Sequence, residues 1–168
     1  MTSSRGILHQ DATGGGVRFE RRYDVEPSEL WPFLVEAEHL SQWITPDVQI
    51  DARVGGRMVF RWPNGPAMEG EITVFDPPHR LEYIWREGDV NSVVRMELRA
   101  EGATTLLIVD HSGLPIKDAG GFAAGWHSHL DWLALILVGQ GERHDQQARF
   151  NELASDYGWE VPTSARVT

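Results

Sequence analysis

The chain has 168 residues, 41% hydrophobic and 24% charged, with a formal net charge of −10 and no cysteine. The length suits one domain with a sizeable core, the composition is that of a globular chain, and the acidic balance repels phosphate backbones and anionic lipid, so neither nucleic-acid binding nor membrane insertion is expected. Lack of thiols excludes a disulfide framework, a thiolate nucleophile and a Cys-ligated metal, and together with the polar N-terminus it gives an expectation of a cytoplasmic protein.

Residues 1–16 are polar and Gly-rich and read as a flexible arm ending at Gly14–Gly16. From Val17 the register alternates, with Phe19, Tyr23 and Val25 on the apolar side, as in a half-buried strand. Arg21 falls in that apolar register, so it must pair with a carboxylate inside or emerge at the sheet edge. Pro27 suits the first position of a helix with Leu30, Trp31, Phe33 and Leu34 as its stripe. Pro32 interrupts that stripe, because a helix interior disfavours proline. Glu36 to Ile44 reads as a second short helix with Leu40 and Trp43 inward.

From Val48 onward, short alternating runs are separated by strong turn signals: Gly55-Gly56, Pro63-Asn64-Gly65-Pro66, Asp76-Pro77-Pro78, Glu87-Gly88-Asp89 and Glu101-Gly102. The pattern predicts an antiparallel meander in a sheet of about six or seven strands. Period two assigns one face to Met58, Phe60 and Trp62, to Leu81, Tyr83 and Trp85, to Val94, Met96 and Leu98, and to Thr105, Leu107, Val109 and His111. Arg61, Glu82, Arg86, Arg95, Glu97 and Arg99 form the solvated face.

An apolar sheet face needs a cover, and Gly121 to Gly139 supplies it as the longest helical pattern in the chain. At 100° per residue Trp126, Leu130, Leu133 and Leu137 fall within roughly 60° of one another. Trp132, Leu135 and Val138 lie outside that stripe, so the helix back is covered by the tail, by the short helices or by a second copy in a homodimer. Glu142 to Tyr157 reads as a further helix with Phe150 and Leu153 as contact residues.

A strand, short helices, a meander and a long C-terminal helix resemble the α+β helix-grip fold of the START-like (SRPBCC, Bet v 1-like) superfamily. Within it the chain is similar to the AHSA1-like family, the single-domain relatives of the activator of Hsp90 ATPase. The resemblance is carried by Phe19-Glu20-Arg21 with Pro27 and Trp31, Glu38-His39-Leu40 with Trp43, Val54-Gly55-Gly56-Arg57, Gly70-Glu71, Asp76-Pro77-Pro78, Arg80-Leu81 with Trp85, His111-Ser112-Gly113-Leu114, and Gly125-Trp126 with Leu130 and Leu133. It implies a domain over 17–141, leaving 142–168 as a C-terminal extension. It also implies a curved sheet wrapped around the long helix, with a cavity between them for a small hydrophobic ligand. Relatives include ligand carriers, cyclases, hydrolases and proteins that support Hsp90, so the alternatives implied are an Hsp90-directed role in the stress response and an enzyme acting on a hydrophobic substrate.

The inward set then becomes the expected ligand-binding wall: Met58, Phe60, Trp62, Tyr83, Trp85, Met96, Leu98, His111, Trp126, His129, Leu130 and Leu133. Aromatics and methionine suit an adaptable apolar pocket, and Tyr83 and the indole N–H groups offer orienting hydrogen bonds. Among titratable groups His111 is the best-placed catalytic candidate, at the inner end of a strand. Asp110 points to the opposite face and cannot pair with it. His127 and His129 are about 200° apart on a helix and cannot chelate one metal together. No nucleophile elbow, phosphate loop or dinucleotide motif is present. The expectation is a binding protein without catalytic residues, metal or cofactor.

Overall fold

Eight strands form one antiparallel sheet against which a single long helix packs, in a computed structural model that describes residues 4–160. In chain order the elements are β1 (Ile7–Asp11), β2 (Gly14–Tyr23), α1 (Pro27–Leu30), α2 (Pro32–Val35), α3 (Ala37–Trp43), β3 (Asp47–Ile50), β4 (Arg57–Arg61) and β5 (Met68–Asp76). They continue with β6 (Arg80–Glu87), β7 (Val90–Glu101), β8 (Thr104–Leu114), α4 (Ala119–Leu137) and α5 (Gln146–Ala154). The sheet order is β1-β2-β8-β7-β6-β5-β4-β3, so β2 lies beside the last strand while β3 forms the opposite edge. The three short helices carry the chain between those two ends. This is the expected α+β helix-grip architecture.

The alternating register places side chains as period two requires. Tyr83 pairs with Val94, Val94 with His111, and Val17 with His111 across adjacent strands, and all four are buried on the helix-facing side. The opposite face carries ion pairs such as Arg95–Glu82 (3.3 Å) and Arg99–Glu97 (2.9 Å). Beneath α4 the core joins Phe19, Phe60, Ile72, Tyr83, Leu98, Leu107, Trp126, Leu130 and Leu133. No helix among the described residues is long and apolar enough to cross a membrane.

Several boundaries differ from expectation. Most of the expected N-terminal arm is structured: Ile7–Asp11 pairs with β2, and Gly14–Gly16 already belong to β2. Glycine concealed this strand, yet a Cβ on Gly16 would collide with the His111 carbonyl at 2.6 Å, so the close pairing with β8 requires glycine there. Residues 1–3 of the expected arm and 161–168 of the expected extension lie outside the described residues. The first helical region is split at Pro32, which opens α2 as its first residue while Trp31 ends α1. α4 begins two residues earlier than its apolar pattern, and Gly139 (φ 74°) closes it in the left-handed conformation. α5 is shorter than expected; Asp145 caps it by accepting from the Ala148 N–H at 3.0 Å.

The charge in the apolar register is resolved from inside. Arg21 Nη1 donates to Asp131 of α4 at 2.8 Å, and Arg149 of α5 donates to the other Asp131 oxygen at 3.0 Å. His127 Nε2 stands 3.6 Å from the same carboxylate, and the Tyr157 hydroxyl joins His127 Nδ1 (2.7 Å) to the Gly6 N–H (2.8 Å). This cluster fastens both terminal segments to α4, and the C-terminal segment thereby covers part of the back of that helix.

Candidate functional site

The site begins with the N-terminal half of α4. Residues spaced at i, i+4 and i+8 lie on one helical face, which brings Gly121, Gly125 and His129 together with their neighbours Phe122 and Trp126. This face does not close down on the sheet. Between it and the ends of β4, β6 and β7 lies a cavity of about 390 Å³. Trp62 and Trp85 form its sheet-side wall with Glu87 and Val90, Ile44 closes one end, and Phe150 and Trp159 cover it from the C-terminal segment.

The two helical glycines explain how the space arises. Each costs about 1 kcal/mol of helix stability relative to alanine. A Cβ on Gly121 would stand 2.9 Å from the Trp159 indole, so glycine lets that ring seat against the helix. A Cβ on Gly125 would meet nothing within 4 Å, so its missing side chain is part of the open volume. The rings form one cluster around Trp85, whose centroid lies 6.0 Å from Trp62, 5.9 Å from Trp126 and 6.1 Å from Phe122.

Behind the wall runs a hydrogen-bond chain. The Trp126 indole N–H donates to His111 Nδ1 at 3.0 Å. Since an indole can only donate, His111 carries its proton on Nε2 and passes it toward Ser92 Oγ, 2.7 Å away. Ser92 in turn donates to the Trp85 carbonyl at 3.3 Å. Burial lowers the His111 pKa to about 3, keeping the ring neutral. With both nitrogens engaged and no exposed edge, His111 holds the wall in place and has no free lone pair with which to act as a base.

The polar groups of the cavity itself are treated differently. Trp85 Nε1 is buried with no hydrogen-bond partner. Glu87 and Asp118 line the cavity, and neither carboxylate is met by a cation or donor among the described residues. Burial raises the Glu87 pKa. His129 donates from Nδ1 to the Trp43 carbonyl at 2.6 Å, which leaves Nε2 with its lone pair, and burial lowers its pKa. Among the described residues no three His, Cys, Asp or Glu side chains gather as a metal site.

Of the residues expected to form a ligand wall, Trp62, Trp85, Trp126 and His129 line the cavity. Met58, Phe60, Tyr83, Met96, Leu98, His111, Leu130 and Leu133 lie instead in the packed core, all nearly or wholly buried. Period two assigns a side chain to a face but does not say where along that face packing stops. Trp62 lies one residue beyond β4 and is only half-buried, since it stands at the rim. The sequence reading missed Ile44, Glu87, Val90, Asp118, Phe122 and Trp159, and it gave Phe150 only a packing role. Of these only Phe122 has a local signal, a glycine on its N-terminal side as at Gly125-Trp126.

With this geometry in place, comparison with known proteins becomes informative. The family model described as activator of Hsp90 ATPase homolog 1-like protein matches residues 24–138, well over half of the chain, and the chain belongs to that family. No curated protein matches it. Among solved structures it is similar to CalU16 from Micromonospora echinospora, at 23% identity and a TM-score of 0.71, covering 94% of this chain and 99% of that one. DynU16, a protein of the dynemicin biosynthetic locus, matches at 22% identity and a TM-score of 0.65 over 75% of this chain and 48% of that one. PFC0360w, an HSP90 activator from Plasmodium falciparum, matches at 21% identity and a TM-score of 0.51 over 60% of this chain and 74% of that one. At such identities the likeness shows the fold.

Proposed function

We propose that this member of the activator of Hsp90 ATPase homolog 1-like family binds a small hydrophobic molecule, aromatic or acyl in character, in the cavity between the sheet ends and α4. The observation that carries the reading is the cavity itself: about 390 Å³, open to solvent on one side and lined by four tryptophans and two phenylalanines. That volume lies within the roughly 300–1,000 Å³ of small-molecule sites, and apolar walls with few polar groups are their usual lining. Burial of apolar ligand surface supplies the affinity, on the order of 25 cal/mol per Å² before entropy costs. His111 is fully engaged behind the wall and does not line the cavity, so a cyclase or hydrolase centre would have to rest on His129 instead. The origin of DynU16 in a biosynthetic locus is consistent with a ligand-handling role.

The test is native mass spectrometry of freshly purified protein, with tryptophan-fluorescence titration against fatty acids and polycyclic aromatics. Retained mass or saturable quenching is expected, and the Gly125→Leu variant, whose side chain projects into the open volume, should weaken both. A folded wild-type protein that retains nothing and shows no quenching across the panel would count decisively against the reading. A second reading, contact with Hsp90, is favoured by the family description and by the likeness to PFC0360w. A pull-down together with Hsp90 ATPase stimulation tests it, and failure of both removes it.

A further inference from the structure

From the charges left unpartnered in the cavity wall we infer that the ligand is a hydrophobic amine, held as its ammonium cation among the aromatic rings and faced by Glu87 and Asp118. The inference rests on the binding role proposed above and narrows it to one chemical class. Among the described residues that line the cavity there is no Lys or Arg, whereas two carboxylates are present. Both are partly buried, and among the described residues neither has an ion pair or a side-chain hydrogen bond, unlike Glu82, Glu97 and Glu101, each of which is paired with an arginine. Asp118 precedes the first turn of α4, where an aspartate commonly caps a backbone N–H, yet its side chain makes no cap bond.

The walls point to the same ligand. Indole and phenyl faces carry negative quadrupole potential and attract a cation that has shed its water. The Trp62 and Trp126 rings each lie about 6 Å from Trp85, centroid to centroid. An ammonium group there would offset the desolvation of Glu87, which burial otherwise penalises. The N-terminus of α4 contributes roughly half a positive charge at the same end, against two acidic side chains. A fatty acid or another carboxylate ligand would instead add a third anion to a site that offers it no cationic partner.

Three probes with one apolar body separate the terms: 2-(2-naphthyl)ethylamine, the neutral 2-(2-naphthyl)ethanol, and 2-naphthylacetate, titrated by calorimetry into wild type and the Glu87→Gln/Asp118→Asn double variant. The amine should bind wild type about tenfold or more tighter than the alcohol, with the carboxylate weakest. In the double variant the amine should fall to within about twofold of the alcohol, while alcohol binding persists and shows that the variant is folded. Equal binding of amine and alcohol by wild type, or tighter binding of the carboxylate, overturns this inference and leaves the binding role standing. An amine preference that survives in the double variant overturns the assignment to Glu87 and Asp118. Failure of all three probes to bind overturns the binding role and this inference together.

Discussion

The two flanks of α4 are both rich in histidine, aromatic rings and acid, and they handle polarity in opposite ways. On the flank facing the termini, Asp131 is shared by Arg21, Arg149 and His127, and His127 is tied through Tyr157 to Gly6; Arg21 Nη2 is the one buried polar atom there without a partner. On the flank facing the cavity, Glu87, Asp118 and the Trp85 N–H have no partner among the described residues. A buried charge without its counter-charge is expensive, so Arg21 and Asp131, both deep in the fold, are paired, whereas Glu87 and Asp118 are only partly buried and stay unpaired. The first flank therefore reads as architecture that anchors the terminal segments. The second is the flank on which we propose that a ligand supplies the missing partner.

The largest expected effect breaks the first flank. Asp131→Ala strands Arg21, which is almost wholly buried, and should cost about 3–5 kcal/mol in urea unfolding. The apolar pair Arg21→Met/Asp131→Leu should recover most of that loss. A cost of Asp131→Ala below about 1 kcal/mol would be that of an exposed ion pair, and the contrast between the flanks would collapse.

The next effect concerns the histidine behind the cavity wall. In the unfolded chain His111 titrates near its ordinary value of 6.5, and in the folded protein near 3. Between those values the unfolded state binds the extra proton, so this contribution to stability is complete above about pH 6.5 and is lost as pH falls toward 3. His111→Leu, which leaves the Trp126 N–H without a partner and Ser92 with only the Trp85 carbonyl, should be about 2 kcal/mol less stable at neutral pH. It should also lose stability less steeply between pH 6.5 and 4 than wild type. A parallel decline in the two proteins would show that His111 is not held neutral by the fold.

Period two in β6, β7 and β8 and the 3.6 period in α4 made the sheet face and its covering helix legible, because burial on one side leaves a regular trace in sequence. The strand Ile7–Asp11 left none: Ile7 and Leu8 are exposed at an edge, and the glycines that pair beside it carry no side chain to alternate. The cavity was legible only as an excess of inward tryptophan. Phe150 and Trp159 reach it through a turn and a short helix whose docking depends on the Asp131 cluster, and contacts between segments so distant in sequence have no local period. Glu87 looked like a turn residue because its exposure depends on where the hairpin ends in space.

The smallest expected effect separates two glycines on the cavity flank that sequence alone treats alike. Alanine at either position gains about 0.5–1 kcal/mol of helix propensity. At Gly125 nothing opposes that gain, since the added methyl points into open volume, and Gly125→Ala should be stabilising in thermal unfolding. At Gly121 the same methyl meets the Trp159 indole at 2.9 Å, so the ring must move away. Gly121→Ala should therefore gain no stability and should shift the tryptophan emission as Trp159 leaves its seat. Stabilisation of equal size at both positions would mean that the C-terminal segment does not press on α4, and the cavity would then be an open groove rather than a covered site.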